Sequence, residues 1–520
     1  MWVKQPVFPP DFARISGLVN TCARPRGPLA FGFMRMDGSS PVPLVIYGVP
    51  FHNVTFEEAI DWIVARVRSG RPANIATANL DFVTRAWSDP ELQRVLIDAD
   101  LVLADGFPIV KLAPFYGPAL KDRVTGSDLT PMLAERAAKE GLSVYGLGGA
   151  PGVAEKACRI LKERHPDLNV AGYSSPPYAP LLELDHRGIL LRLEQAAPDI
   201  LFVAFGAPKQ DKFISMHVRG WNVPVALGIG ASLDFITGEQ KRAPKWARNA
   251  HLEWLLRVCR DPRRLFSRYC ANLCFLYSAS RQMFKIHTMR DRPVSFQPLE
   301  EAGVGSLEEL GVMVELYQPL DGEAAARDFI DRIAAAGEGK NVLFDVHAVP
   351  WFNSLELGAL LEINKFCRKR NKRLILYAPR PKVRRLLETC RLTDYFDTAV
   401  RLEEVEAVAR DLAEHVEGGA AYAGGELTLE LPMELTAATL PDFERETEFI
   451  HHELRGRGLL KTVEVDAAQL DFIDSSGLGF LIALKKATQN EGVSMSIANL
   501  AAKPRRTFEI ARVDRVLLHA

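Results

Sequence analysis

Between Pro43 and about Gly238 the chain alternates short apolar runs with longer segments of helical period, and this alternation constrains the fold more than any other feature. The runs are Leu44 to Tyr47, Asn74 to Ala78, Leu101 to Ala104, Ser143 to Leu147, Leu168 to Gly172, Ile200 to Phe205 and Val223 to Ile229. Helical patterns such as Thr55 to Ser69 and Pro151 to Arg164 lie between them. Strands separated by crossover-length helices predict a mostly parallel α/β sheet covered on both faces. Such a sheet takes its ligand beyond the carboxyl ends of its strands.

The chain has 520 residues, too many for that sheet alone. Residues 1–42 carry Pro6, Pro9, Pro10, Pro25 and Pro28 without periodicity and read as an irregular lead-in to a domain at 43–240. A basic appendage follows at 241–292. There Lys241, Arg242, Lys245, Arg248, Arg257, Arg260, Arg263, Arg264, Arg268, Arg281, Lys285, Arg290 and Arg292 face only Glu253, Asp261 and Asp291. Trp246, Trp254, Leu265, Phe266, Phe275 and Tyr277 are interleaved with them. Basic and large apolar residues at helical spacing describe a helix drawn to an anionic membrane surface, or a solvated face over a core edge.

Two further domains are expected at 307–415 and 426–520, after linkers at Pro293 to Ser306 and Glu417 to Gly425. They repeat one plan of strand, helix, strand, helix, strand and helix. Strands fall at Val312 to Tyr317, Asn341 to Val346 and Arg373 to Tyr377 in the first copy, and at Leu427 to Leu431, Thr462 to Val465 and Val493 to Ile497 in the second. The helices after the first strands fall at Glu323 to Ala335 and about Leu440 to Leu454.

Charge and cysteine content narrow the function. Lys and Arg number 64 against 65 Asp and Glu, so no nucleic-acid partner is expected. Seven scattered cysteines without a Cys-x-x-Cys pair indicate neither a disulfide framework nor a zinc ribbon. No run approaches the roughly 20 apolar residues of a membrane span. The expectation is a cytoplasmic protein, peripheral at the inner face of the membrane.

In the second copy, Asp474-Ser475-Ser476-Gly477-Leu478-Gly479 stands at a strand-to-helix junction. This segment resembles the STAS domain, the anti-sigma-factor-antagonist fold. The resemblance implies phosphorylation at Ser475, whereas the residues alone are equally satisfied by a helix cap at Asp474 or Ser475. A serine kinase, a phosphatase or another protein partner is implied with it. The first copy keeps a serine in Asn353-Ser354-Leu355-Glu356 but loses the Asp and the Gly, and resembles a degenerate STAS domain that pairs or docks.

In the large domain, Gly146-Leu147-Gly148-Gly149-Ala150-Pro151-Gly152 opens a helix after a strand, which suits a diphosphate. No acid ends the next strand near Val170 to Tyr173, so a nicotinamide reading lacks its second support. Thr77-Ala78-Asn79, Ala104-Asp105-Gly106, Arg123-Val124-Thr125-Gly126, Phe205-Gly206-Ala207-Pro208-Lys209-Gln210-Asp211, Gly228-Ile229-Gly230-Ala231-Ser232-Leu233-Asp234 and Arg242-Ala243-Pro244 follow in order. Together they resemble the WecG/TagA/CpsF glycosyltransferase family over about residues 43–270. Asp211 departs from the family's usual Glu.

The resemblance implies a Rossmann-like fold and inverting transfer of a sugar, N-acetylmannosamine or a related hexose, from a UDP-sugar to a polyprenyl-diphosphate-linked acceptor in cell-surface polysaccharide synthesis. It carries the catalytic base onto Asp105, with Thr77, Asn79 and Gln210 beside it. Arg123, Gly148, Gly149, Gly206, Lys209, Gly230 and Asp234 would bind substrate. No Asp-x-Asp pair stands in the region, so a metal-independent enzyme without a cofactor is expected, with Arg257, Arg264 and Arg268 meeting the leaving diphosphate. Asp105 alone also reads as a turn-forming residue. A non-catalytic nucleotide-sugar sensor in a STAS signalling system is the alternative, and self-association stays open.

Overall fold

The computed structural model describes residues 40–240, 262–290, 312–315, 320, 322–337, 340–370, 372–401, 403–405, 408, 419–423, 425–445, 460–490 and 492–518. Its first two strands, β1 (Pro43–Ile46) and β2 (Val49–His52), form an antiparallel hairpin. Tyr47 and Gly48 turn it, both at positive φ (50° and 84°), the combination that a two-residue hairpin loop with the native twist requires. Leu44 to Tyr47, read as the first crossover strand, therefore lies outside the main sheet. All four β1 residues are buried because the hairpin is covered on both sides.

The expected parallel sheet is formed by β3 (Ala73–Ala78), β4 (Leu101–Ala104), β5 (Ser143–Gly148), β6 (Asn169–Ser174), β7 (Ile200–Ala204) and β8 (Val225–Gly228). Their order is β4-β3-β8-β7-β5-β6, and every ladder is parallel. Strong local signals set the helices between them. Thr55 and Glu58 form a capping box on the Phe56–Ser69 helix, which Gly70 ends at φ 66°. The strand order brings the carboxyl ends of β3, β4, β7 and β8 together at one edge of the sheet.

The first small domain has a parallel sheet of β9 (Val312–Glu315), β10 (Val342–Asp345), β11 (Leu374–Tyr377) and β12 (Asp397–Ala399), ordered β12-β11-β10-β9. Its hydrophobic core is continuous with that of the hairpin: Leu44, Ile46 and Phe51 belong to one cluster with Phe352, Leu357, Leu361 and Leu386. The second small domain has β13 (Gly419–Ala423), β14 (Glu426–Glu430), β15 (Glu434–Leu435), β16 (Thr462–Asp466), β17 (Phe472–Ile473) and β18 (Ser494–Ala498). Here β13 pairs antiparallel with β14, so most of the expected Glu417 to Gly425 linker is an edge strand. This domain keeps a core of its own, touched from the large domain by Leu182.

The basic appendage contributes one long helix, Pro262–Thr288. One face is held down: Phe275 packs edge-on against Tyr47 and Trp87, and Ser280 Oγ lies 3.0 Å from the Tyr47 hydroxyl. The linker at Pro293 to Ser306 and most of the helix expected over Leu440 to Leu454 lie outside the described residues.

Candidate active site

The ends of four parallel strands supply the predicted residues. Thr77, next to last in β3, is buried, and its hydroxyl donates to the Gly228 carbonyl at 2.9 Å, tying β3 to the end of β8. Asn79 caps the Leu80–Ala86 helix, its Oδ1 accepting the N–H groups of Asp81 at 2.9 Å and Phe82 at 3.4 Å. That cap engages the oxygen of the Asn79 amide.

Asp105 follows β4, half-buried, and its N–H donates to the Ala78 carbonyl at 2.9 Å. The base candidate thus stands beside Asn79 on the adjacent strand end. At Gly106, a Cβ would come within 3.4 Å of the Asn79 Cβ. A Cβ at Gly126 would come within 3.2 Å of the Thr77 hydroxyl, which brings the amino end of the Gly126–Glu140 helix to the same place.

Gln210 is buried beneath this group. Its Oε1 accepts the Gly230 N–H at 3.0 Å, and a Cβ at Gly228 would lie 2.7 Å from its Nε2. The Gly-Ile-Gly segment therefore needs Gly228 for close approach and Gly230, at φ 56°, for its turn. Its neighbour Asp211 is fully buried, and neither carboxyl oxygen has a hydrogen-bond partner elsewhere among the described residues. Burial pushes the Asp211 carboxyl up to about 7.

Lys209 reaches the Ala179 carbonyl and lies 5.1 Å from the ring centres of Tyr178 and Phe205, and burial lowers its pKa. Gly148, at φ 109°, could not carry a Cβ, which would lie 2.7 Å from the Ala204 carbonyl oxygen; Gly149 follows at φ 75°. The Val153–Arg164 helix beyond them starts at Gly152 without a side-chain cap. Gly206, at φ 76°, has open space around it. Asp234 accepts from Gln240 Nε2 at 3.1 Å, and burial together with Glu239 raises its pKa.

The arginines divide. Arg123 is half-buried, its N–H on Asp122 Oδ1 at 2.7 Å. Arg268, expected at the diphosphate, is instead ion-paired with Asp81 at 2.6 Å and pins the long appendage helix to the Leu80–Ala86 helix. Arg257 and the Arg264 side chain lie outside the described residues.

Asp185 and His186 stand at another helix start. Asp185 caps the His186–Ala196 helix, and His186 Nδ1 lies 2.7 Å from His217 Nε2 while its Nε2 lies 2.7 Å from the Leu181 carbonyl. Burial and the neighbouring His186 hold His217 down to about 4. Among the described residues, no group of three or more His, Cys, Asp or Glu could hold a metal ion.

In the second small domain, Asp474 is the helix cap: Oδ1 accepts from the Ser476 N–H at 2.8 Å and the Gly477 N–H at 3.1 Å. Ser475 is the first helical residue, 3% exposed, and its N–H donates to Glu91 of the large domain at 2.6 Å. Sequence reasoning missed Glu91, and the 384-residue separation in that pair left no local signal. The Glu434 carboxyl of this domain is pushed up by burial but held down to about 2 by Arg94 and Arg368, one arginine from each of the other two domains.

Comparison with known proteins agrees with this layout. Residues 44–288 match the glycosyl transferase WecG/TagA/CpsF family, and residues 306–407 and 419–519 match the STAS domain. The first match runs through the appendage helix, and the last takes in β13. An N-acetylglucosaminyldiphosphoundecaprenol N-acetyl-beta-D-mannosaminyltransferase of Bacillus spizizenii is 33% identical over 192 residues, 37% of this chain and 73% of that protein. The enzyme of the same name from Staphylococcus aureus (strain MRSA252) is 28% identical over 252 residues, 48% of this chain and 97% of that protein. Among solved structures, the murine Slc26a9 anion transporter aligns with a TM-score of 0.15 at 13% identity, over 32% of this chain and 30% of that one, too weakly to bear on fold or function.

Proposed function

This chain belongs to the WecG/TagA/CpsF glycosyltransferase family and carries two STAS domains, and from that premise we propose that it transfers N-acetylmannosamine or a related hexose from a UDP-sugar to a polyprenyl-diphosphate-linked sugar. The observation that carries the reading is the half-buried Asp105 carboxylate at a strand end, flanked by Asn79 and Thr77. An acceptor hydroxyl must lose its proton as it attacks the anomeric carbon, and a carboxylate in a cleft can take it. Attack from the face opposite the leaving UDP inverts the anomeric centre.

The uncapped helix after Gly148 and Gly149 offers backbone N–H groups to the diphosphate, and Arg123 offers a guanidinium fork. The leaving charge is met by such groups without a metal ion. Exposed residues of the appendage helix support a membrane role. Phe266, Leu273, Tyr277 and Phe284 are 63–72% exposed at spacings of seven, four and seven, with exposed Arg263, Arg281 and Lys285 on the same helix. An amphipathic basic helix of this kind seats on anionic lipid, where the acceptor resides. No helix among the described residues is long and apolar enough to cross a membrane.

The second STAS domain is the regulatory element in this reading. A phosphoryl group on Ser475 adds a charge of roughly −2. It would stand beside the carboxylates of Asp474 and Glu91, so modification and seating on the large domain exclude one another.

UDP release by the purified chain tests the reaction, with a panel of UDP-sugars and a short-chain polyprenyl-diphosphate-N-acetylglucosamine acceptor in the presence of a chelator. The expected result is acceptor-dependent release that falls by about 10²-fold or more in Asp105→Ala. Donor binding without turnover on any acceptor would overturn the reading in favour of a nucleotide-sugar sensor.

A further inference from the structure

Glu91 lies on the Pro90–Asp98 helix and is almost fully buried. One carboxyl oxygen accepts the Ser475 N–H at 2.6 Å, at the amino end of the Ser475–Asn490 helix of the second STAS domain. The other accepts from Lys212 Nζ at 2.6 Å. Lys212, also paired with Asp89 at 2.8 Å, sits two residues beyond Gln210 on the Lys209–His217 helix, and Gln210 holds the Gly230 N–H at 3.0 Å. Two sets of polar contacts, joined by the Lys209–His217 helix that carries both Lys212 and Gln210, thus link the STAS helix to the glycine turn at the end of β8.

We infer that Glu91 is a positioning residue that couples the seating of the second STAS domain to the placement of the helix carrying Gln210. The coupling to catalysis rests on the transferase reading above. A carboxylate at a helix amino end is favoured by that helix's unpaired N–H groups and dipole, and here it is buried, so it needs both partners. When the STAS helix withdraws, Glu91 keeps a single partner in a site open to water, and Lys212 loses the rigid acceptor that fixes its helix. A second tie runs through the same Pro90–Asp98 helix: Arg94 pairs with Glu434 at 3.5 Å and lies 5.6 Å from the Phe472 ring centre. This helix therefore meets the second STAS domain at two points, and the Ser475–Asn490 helix also packs on Lys209–His217 directly.

Ser475→Pro in the full chain is the test. Proline is tolerated at the first helical position, whose N–H no helical carbonyl uses, so the change removes the donor to Glu91 and leaves the STAS helix intact. Amide hydrogen exchange in residues 209–217 and 475–490 is followed beside UDP release. The expected result is exchange faster by about tenfold in both segments, from loss of one charge-assisted hydrogen bond. A fall in kcat of similar size, with donor KM little changed, should accompany it.

Glu91→Gln should give the same pattern at smaller amplitude, and Ser475→Ala, which keeps the N–H, should leave residues 209–217 at wild-type exchange. Faster exchange in 475–490 with 209–217 unchanged would overturn the inference, as would no change in either. Coupled exchange without transfer from any UDP-sugar would instead sink the transferase reading and leave the tie standing.

Discussion

The Ser354 hydroxyl donates to the Val45 carbonyl at 2.9 Å, joining the first STAS domain to the hairpin of the transferase domain. The Ser354 N–H donates to the Tyr116 carbonyl at 3.0 Å, and Gln93 Nε2 donates to the Cys390 carbonyl at 2.9 Å. The serine of the degenerate motif is thus committed to a buried backbone contact beside a shared hydrophobic core. The second STAS domain, with its own core, meets the transferase domain through the polar contacts of Glu91, Arg94 and Glu434 and through the packing of Leu182 and of the Ser475–Asn490 helix on Lys209–His217. One domain is built into the enzyme and the other rests on it.

That difference gives a test at Gly358, inside the Ser354–Arg368 helix. A Cβ there would lie 1.8 Å from the Pro43 carbonyl oxygen, a backbone atom that cannot swing aside. Alanine gains up to about 1 kcal/mol in helix propensity. Overpacking should cost about 3 kcal/mol and win, and the net loss of about 2 kcal/mol should lower the thermal midpoint of a unit this large by about 3 °C. An unchanged midpoint would mean that the helix and hairpin are not in close contact.

The parallel sheet, the two small domains and the placing of Thr77, Asn79 and Asp105 at strand ends were legible because each rests on local pattern. Short apolar runs, crossover spacing and glycines at strand ends are set within a few residues. The hairpin was misread because Leu44 to Tyr47 is apolar on both faces like a parallel strand, and only the first STAS domain explains why both faces are covered. The Arg268 ion pair with Asp81 was not legible because a guanidinium pairs as readily with a carboxylate as with a phosphate. Glu91 carried no signal at all, and Asp211 was marked only as a departure from the family's usual Glu, since burial by distant segments is what makes both unusual.

The appendage helix offers a test on lipid. Phe266→Ser combined with Tyr277→Ser removes two large apolar groups from the outward stripe, while Phe275 and Ala279, which face the protein, stay in place. Partition onto vesicles of equal phosphatidylglycerol and phosphatidylcholine should weaken by more than about tenfold. Donor binding should be unaffected. Wild-type binding should fall with added salt as the lysines and arginines are screened. Binding by the double variant equal to wild type would remove this face from the membrane reading.

Asp211 should make stability depend on pH. Its carboxyl is held up to about 7 by burial, against an ordinary value of 3.8. Between those values the unfolded chain loses the proton while the folded chain keeps it, so this group costs stability as pH rises from about 4 to 7, and the full cost stays above that window. Asp211→Asn keeps the shape and removes the titration. The variant should gain thermal stability over wild type at about pH 8, and the gain should shrink steadily towards about pH 5. A pH-independent difference between the two proteins would show that the Asp211 carboxylate finds a partner in solution. Because Asp211 lies next to Gln210, the same substitution should leave the Gly230 contact in place, and acceptor-dependent UDP release at about pH 6, where both forms are neutral, should match wild type within about twofold.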